Sequence, residues 1–206
     1  MKTTKKIFIM LALFAMTVVG ATFCGNTQQE VNVKTLFDML PYDALPEHVA
    51  LGELDRDEYI CECDYENGYL ELAGGHYEWQ MCYWNLNDGR KLVAVNQGFE
   101  TGPRLLFFYY EEGELREDGD YSLWEDITIN LEDFIDVSQL HPDIIDDLRE
   151  NVESLKYILY YQLPQEGTAI KVHIDYEEVI EDFESIPYEA FKELTLTWID
   201  EKWVKQ

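Results

Sequence analysis

The alternation of apolar and polar residues predicts consecutive β-strands between residues 58 and 116. The first repeat places Tyr59, Cys61, Cys63 and Tyr65 on one face and acidic residues on the other, which is typical of a half-buried strand. Tight-turn signals follow at Asn67-Gly68, Gly74-Gly75, Asn87-Asp88-Gly89 and Glu112-Gly113. Strands joined by such short turns leave no room for crossover helices, so we expect an antiparallel meander.

Helical periodicity flanks this region. Val33, Phe37 and Leu40 share one face of a helix over 33–40, which Pro41 ends, and Pro46 and Gly52 mark a loop. Pro142 opens a helix that extends to about residue 155. The remaining elements are strands over 157–163 and 168–174, two short helices within 175–193 and a closing hairpin over 194–204. The pattern predicts an α+β fold: an antiparallel meander sheet with a few short helices packed on one face.

The first residues have the pattern of a secretory signal. Lys2, Lys5 and Lys6 form a basic head, an apolar run extends from Ile7 to Val19, and Gly20-Ala21 closes it with small residues. The run is too short to cross a membrane comfortably as a permanent helix. We expect residues 1–21 to be the signal peptide, 22–32 a flexible tail and 33–206 a single domain, located in the periplasm or at the cell surface.

The sequence also allows a second end of the signal peptide, at Cys24. Cys24 could accept a lipid anchor, although Phe23 stands where a lipoprotein signal usually has a small residue. The polar residues 25–30 would then tether the domain to the membrane. The sequence leaves both endings open, and it predicts membrane contact only through such an anchor.

The chain is strongly acidic, with 42 Asp and Glu against 15 Lys and Arg and a formal net charge of −27. This charge repels nucleic acid and anionic lipid headgroups. It favours solubility, a basic partner or divalent cations. Because aromatic residues make up 14% of the chain, we expect the acids to decorate a folded core rather than a disordered tail.

Four cysteines, Cys24, Cys61, Cys63 and Cys82, have no pairing that the sequence determines. Cys61 and Cys63 share a face of the predicted strand and are therefore poor partners for each other. Cys82 could pair with one of them only across neighbouring strands. We interpret the thiols as small buried side chains, which is the common environment of free cysteine.

Three segments of the chain form a recognisable set: Leu36–Pro41, the stretch from Trp79-Gln80-Met81 into Leu86–Lys91, and the terminal hairpin Trp198–Trp203. Together they resemble an uncharacterised family of small secreted proteins from anaerobic gut bacteria. The resemblance implies an exported α+β protein with a closing strand that carries an aromatic residue. It implies no activity and no site residues, because the matching positions are turn and core residues.

Residues 114–125 partly match a twelve-position calcium loop. Gly119 and Glu125 fit positions 6 and 12, but Arg116 occupies position 3, where a ligand oxygen is needed. We interpret the segment as a polar exit from a hairpin. Cys61, Cys63, Cys82 and His76 have ligand chemistry but lack the paired spacing of a zinc site, so we predict no metal and no cofactor.

Motifs for enzymatic catalysis do not stand out. None of the serines lies in a G-x-S-x-G elbow, and no metalloprotease, P-loop or dinucleotide motif occurs. His141 precedes Pro142 and marks a helix start. Acidic pairs of the kind that glycosidases use are uninformative in a chain with so many carboxylates.

Aromatic residues cluster on adjacent predicted strands, and both faces of the run Phe107–Tyr110 are aromatic. One face must be core, and the other is either covered by a helix, which we favour, or exposed as a contact platform. The candidate contact residues are Trp79, Tyr83, Trp84, Phe108 and Tyr110. The leading hypothesis is an exported, non-enzymatic binding or interaction module that recognises a basic protein or a sugar. The alternative is an envelope hydrolase that acts on sugar or peptide through acidic residues.

Overall fold

Two antiparallel sheets enclose a shared apolar core, and a layer of short helices covers the other face of the first sheet. A computed structural model describes residues 31–73, 78–99, 102–125, 127–150, 159–174 and 186–206. The predicted signal peptide, Cys24, His76 and Tyr77 lie outside the described residues. Residues 31–206 belong to one compact unit.

The first sheet is the predicted meander, in which every strand pairs antiparallel with the next one along the chain. Local turns produce this order: Gly68 and Gly89 both take the left-handed backbone conformation that glycine favours. The six strands are β1 (Ile60–Asp64), β2 (Tyr69–Leu72), β3 (Trp79–Asn85), β4 (Lys91–Phe99), β5 (Gly102–Glu111) and β6 (Glu114–Glu117).

The second sheet has the order β10-β9-β8-β7. Its strands are β7 (Leu159–Gln162), β8 (Ala169–Ile174), β9 (Leu194–Ile199) and β10 (Lys202–Lys205). They alternate between buried and more exposed positions, as Ile170, Val172 and Ile174 of β8 illustrate. One face of this sheet therefore packs into the core.

The helices are short. They are α1 (Val33–Met39), α2 (Glu47–Ala50) and α3 (Pro142–Glu150), with 3-10 helices at Tyr42–Ala44, Arg56–Tyr59, Leu131–Asp133, Val137–Gln139 and Tyr188–Ala190. The Asn32 side chain caps α1 by accepting a hydrogen bond from the Thr35 backbone N–H at 3.0 Å. Val33, Leu36 and Phe37 of α1 are buried against the first sheet, as the helical pattern predicts.

The central strands β3, β4 and β5 are buried on both faces. Met81, Val93 and Phe108 face the helical layer, whereas Cys82, Ala94 and Phe107 face the second sheet. The sequence predicted that one face would be core, and we expected a helix to cover the other face. The helical layer is present, but a second sheet covers the opposite face.

Buried amide side chains connect the two sheets. The Leu163 backbone N–H donates to Oε1 of Gln80 at 2.9 Å, and Nδ2 of Asn96 donates to the Tyr161 carbonyl at 2.6 Å. Gln80 and Asn96 lie opposite each other on β3 and β4. They supply partners to the backbone at the outer edge of the second sheet, which has β7 as its last strand.

Three expectations need correction. β1 begins at Ile60 rather than Glu58, because residues Arg56–Tyr59 form a 3-10 helix. Cys61 is exposed rather than buried: the register of β1 against β2 shifts between Ile60 and Glu62, and a bulge of this kind re-aims the extra side chain. Cys63 is half-buried, and only Cys82 has the buried environment expected of the three. All three are free thiols.

The predicted helices agree with the structure as far as they fall within the described residues. The helix that Pro142 opens is described to Glu150, and its expected continuation to residue 155 lies outside them. Of the two short helices expected within 175–193, only the 3-10 helix Tyr188–Ala190 falls among them. None of the described helices has the length and apolar character needed to span a membrane.

The turn between β1 and β2 generates the first prediction. A Cβ atom at Gly68 would lie 2.6 Å from Cε1 of Tyr83, and the φ of 74° is unfavourable for other residues. We expect Gly68→Ala to lower the free energy of unfolding by about 2–4 kcal/mol, the combined cost of backbone strain and overpacking. Urea denaturation measures this.

Gly89→Ala is the matched control. Gly89 has a φ of 92° but no atom within 4 Å of an added Cβ, so this variant should show backbone strain alone. Equal losses of stability in the two variants would contradict the proposed clash with Tyr83.

The amides between the sheets generate the second prediction. Gln80→Met would leave the Leu163 N–H without its partner, at a cost of about 1–3 kcal/mol in unfolding free energy. Asn96→Leu should cost less, since it removes a buried Oδ1 that has no hydrogen-bond partner and leaves only a carbonyl unpaired. Thermal or urea unfolding of both variants checks the order, and a larger loss for Asn96→Leu would contradict it.

Candidate contact surface

Three of the five predicted contact residues are buried. Trp79, Trp84 and Phe108 are core side chains, and the Trp79 indole N–H donates to the Ala44 carbonyl at 2.9 Å. These three side chains are therefore not available to a partner, which removes them from the candidate contact face and agrees with the covered face that we favoured over an exposed platform. The physical reason is that aromatic residues supply large core side chains as readily as contact surfaces, and here both faces of the sheet need them.

Tyr83 and Tyr110 are half-buried and lie towards one end of the first sheet. Tyr110 pairs with Lys91 on β4 and with Leu115 on β6, and Lys91 pairs in turn with Asn85. The Lys91 ammonium lies 4.3 Å from the centre of the Tyr83 ring and 2.5 Å from Oδ1 of Asn85. Of the five predicted contact residues, only Tyr83 and Tyr110 are thus partly exposed, and they lie beside the polar side chains of Lys91 and Asn85.

A different region combines large exposed apolar side chains with negative charge. Between α1 and β1, Leu51 is 77% exposed, Tyr42 68% and Leu54 52%. All the carboxylates of the same segment are exposed as well: Asp43, Glu47, Glu53, Asp55, Asp57 and Glu58. We call Tyr42, Leu51, Leu54 and these carboxylates the α1–β1 surface.

The α1–β1 surface is tied to the fold by Arg56. Its Nη1 donates to the Phe37 carbonyl at 3.0 Å and lies 3.4 Å from the Leu40 carbonyl, so it satisfies backbone groups at the end of α1. The guanidinium also stacks near the rings of Phe37 and Tyr42, 5.6 and 5.5 Å from their centres. One basic side chain thus joins the start of the segment to its end.

Further contacts hold the middle of the segment in place. The rings of His48 and Tyr59 meet edge to face, with centres 5.5 Å apart. Helix α2 contacts both flanking 3-10 helices. Gly52 packs closely, since a Cβ there would lie 2.4 Å from the Tyr59 hydroxyl. The exposed leucines consequently project from an ordered segment.

The electrostatics of this region leave the negative charge facing outward. Lys34 pairs with Asp38 at 2.6 Å and with Asp57 at 2.9 Å. Partial burial alone would lower the pKa of Lys34, but the hydrogen bonds to these carboxylates raise it. Next to the segment, partial burial and then the Glu71 carboxylate raise the pKa of the Cys61 thiol.

Residues 114–125 do not form a calcium loop. Glu114 and Arg116, at the first and third loop positions, belong to β6 and pair with each other as an ion pair. Among the described residues, no group of three or more His, Cys, Asp or Glu side chains is arranged to hold a metal ion.

From the sequence, the segment that carries the α1–β1 surface is predicted only as a loop marked by Pro46 and Gly52. One feature of the sequence points to exposed leucines here. Leu51 and Leu54 lie in an acidic stretch that lacks the periodicity of a helix or strand with one buried face. Such leucines can equally well pack inward, so their exposure becomes visible only in the folded chain.

Comparisons of the chain with protein-family models, curated proteins and solved structures found no match. The resemblance to secreted proteins of gut bacteria stays a prediction. The functional argument therefore depends on the geometry of the α1–β1 surface.

The clamp formed by Arg56 generates the third prediction. We expect Arg56→Ala to lower the free energy of unfolding by about 2 kcal/mol, because hydrogen bonds from a charged donor to half-buried carbonyls are lost. Amide hydrogen exchange over residues 42–59 should accelerate more than exchange in β3–β5, and mass spectrometry measures both. Arg116→Ala, which removes an exposed ion pair with Glu114, is the control and should change neither quantity. Unchanged exchange over residues 42–59 would show that Arg56 does not order the segment.

Proposed function

We propose that this protein is an exported, non-enzymatic binding module that contacts a partner protein through the α1–β1 surface. The observation that carries the proposal is the exposure of Leu51, Tyr42 and Leu54 in a segment held by Arg56. Large exposed apolar side chains on one ordered, acidic segment are a feature that protein interaction sites share. Ordering before binding also lowers the entropic cost of association.

Export is supported by the basic head, the apolar run and the small-residue exit of residues 1–21. The formal charge of −27 favours a basic partner over nucleic acid or an anionic lipid surface. A protein is favoured over a sugar because Trp79, Trp84 and Phe108, the strongest candidates for stacking on a sugar, are buried. The alternative of a hydrolase acting through acidic residues stays a prediction from composition.

The fourth prediction tests the surface directly. A photo-crosslinking amino acid is placed at Leu51 or Leu54 in the full chain, expressed in its native envelope and irradiated. Because both side chains project into solvent, we expect a discrete crosslinked adduct at each position, identified by mass spectrometry as the same partner.

Glu166, in the exposed turn between β7 and β8, is the control position and should give no such adduct. The double variant Leu51→Ser/Leu54→Ser should unfold like the parent protein, because exposed substitutions change stability little. A crosslinker added at Tyr42 should then give a weaker adduct in the double variant than in the parent. Absent adducts at Leu51 and Leu54, or the same adducts at Glu166, would contradict the proposed function.

A further inference from the structure

The four outer edges of the two sheets differ in how they are protected. Exposed edge strands offer unpaired backbone groups to other chains, and proteins usually cover or charge them. Gln80 and Asn96 supply hydrogen bonds to the chain at β7. Beside β10, Nζ of Lys205 binds the Thr128 carbonyl at 2.9 Å and Asp133 at 2.7 Å. The edges at β6 and β1 remain.

At β6 the charges are balanced within the chain. Glu114 pairs with Arg116, and Glu117 lies 3.9 Å from Arg104. The charges on this edge therefore largely cancel. An approaching strand would meet little net charge, whether its own side chains are positive or negative.

At β1 the charge is negative and uncompensated. Glu58, Glu62 and Glu66 are exposed along this strand and its flanks, and none of them forms an ion pair with another described residue. Cys61 and Glu62 are exposed on the strand itself, and among the described residues β1 has β2 as its only strand neighbour. Leu54 precedes the strand and the exposed Tyr65 follows it.

These features select one kind of occupant. A second copy of this chain would bring Glu58, Glu62 and Glu66 against the same carboxylates, and this like-charge repulsion disfavours pairing of identical edges. A strand with Lys or Arg side chains meets opposite charge at the same positions. Strand addition to an open edge is a recurring way of binding an extended peptide.

We propose that the outer edge of β1 takes up an extended, lysine- or arginine-bearing segment of the partner as an added strand. This inference rests on the proposed function and names the chemistry and mode of recognition. The backbone of β1 provides affinity, the carboxylates select positive charge, and Leu54 and Tyr65 provide apolar contacts at the two ends.

The fifth prediction uses two synthetic peptides of equal length as probes, one alternating Lys and Val and the other alternating Glu and Val. Titration calorimetry of the purified protein measures affinity, and amide hydrogen exchange locates the site. We expect the Lys peptide to bind, to slow exchange in β1 but not in β6, and to lose affinity with added salt. The Glu peptide should not bind.

Charge variants keep the test specific. Glu62→Lys should weaken binding of the Lys peptide about fivefold by replacing an attraction with a repulsion at an exposed site. Glu117→Lys on β6 is the matched control and should leave the affinity unchanged. Both positions are exposed, so both variants should fold.

The outcomes separate this inference from the proposed function. Adducts at Leu51 and Leu54 without binding of the Lys peptide, or with binding that leaves exchange in β1 unchanged, would overturn strand addition while the binding module stands. Equal binding of the Glu peptide would overturn the charge selection. A third outcome combines no adducts at Leu51 and Leu54 with slowed exchange in β1 when the Lys peptide binds. That result would overturn the α1–β1 surface as the contact with the partner, while the β1 edge would stand as a peptide-binding site.

Discussion

Strands β3, β4 and β5 carry apolar side chains on both faces, and this requirement for two covering layers organises the molecule. Met81, Val93 and Phe108 need the helical layer, while Cys82, Ala94 and Phe107 need the second sheet. Neither layer alone would remove the central strands from water, since burial of apolar area is the main favourable contribution to folding. The helices before the first sheet and the strands after it are thus parts of one core.

Covering both faces also determines which edges stay open. Because the second sheet packs on the first, Gln80 and Asn96 can reach the chain at β7 and give its backbone groups partners. Within the described residues β1 has no strand beside it other than β2, and helix α1, which packs on the face of the sheet, also contacts β1. The same packing that completes the core therefore leaves β1 available, so that protection from other copies of the chain depends there on the exposed carboxylates.

The meander could be predicted because its information is local. Asn67-Gly68 and Asn87-Asp88-Gly89 set turns between neighbouring strands, and period-two alternation sets which side chains share a face. The second sheet was only half predictable: its strands and closing hairpin are visible in the sequence, but the pairing of β8 with β9 joins segments separated by residues 175–193. Non-local pairing and sheet-on-sheet packing leave no short-range signal. Cys61 shows the same limit on a smaller scale, because the bulge that exposes it depends on the register with β2.

The contact surface was predictable in chemistry but not in position. Acidity and aromatic content indicated a charged exterior around a large core, yet exposed and buried aromatics have the same appearance in a sequence. Trp84 and Phe108 became core because a second layer covers them, and Leu51 and Leu54 became surface because Arg56 anchors their segment to α1.

The placement of the basic side chains explains why the surface near β1 stays negative. Arg56 is turned towards the carbonyls of α1, and Lys34 is shared between Asp38 and Asp57, so both cations are used in holding the segment together. Glu58 and Glu62 gain no such partner and remain in water. Net charge of this kind governs association and solubility rather than the fold, because exposed carboxylates are well solvated where they lie. The core is complete without these carboxylates, and their uncompensated charge is therefore free to act on whatever approaches the edge of the sheet.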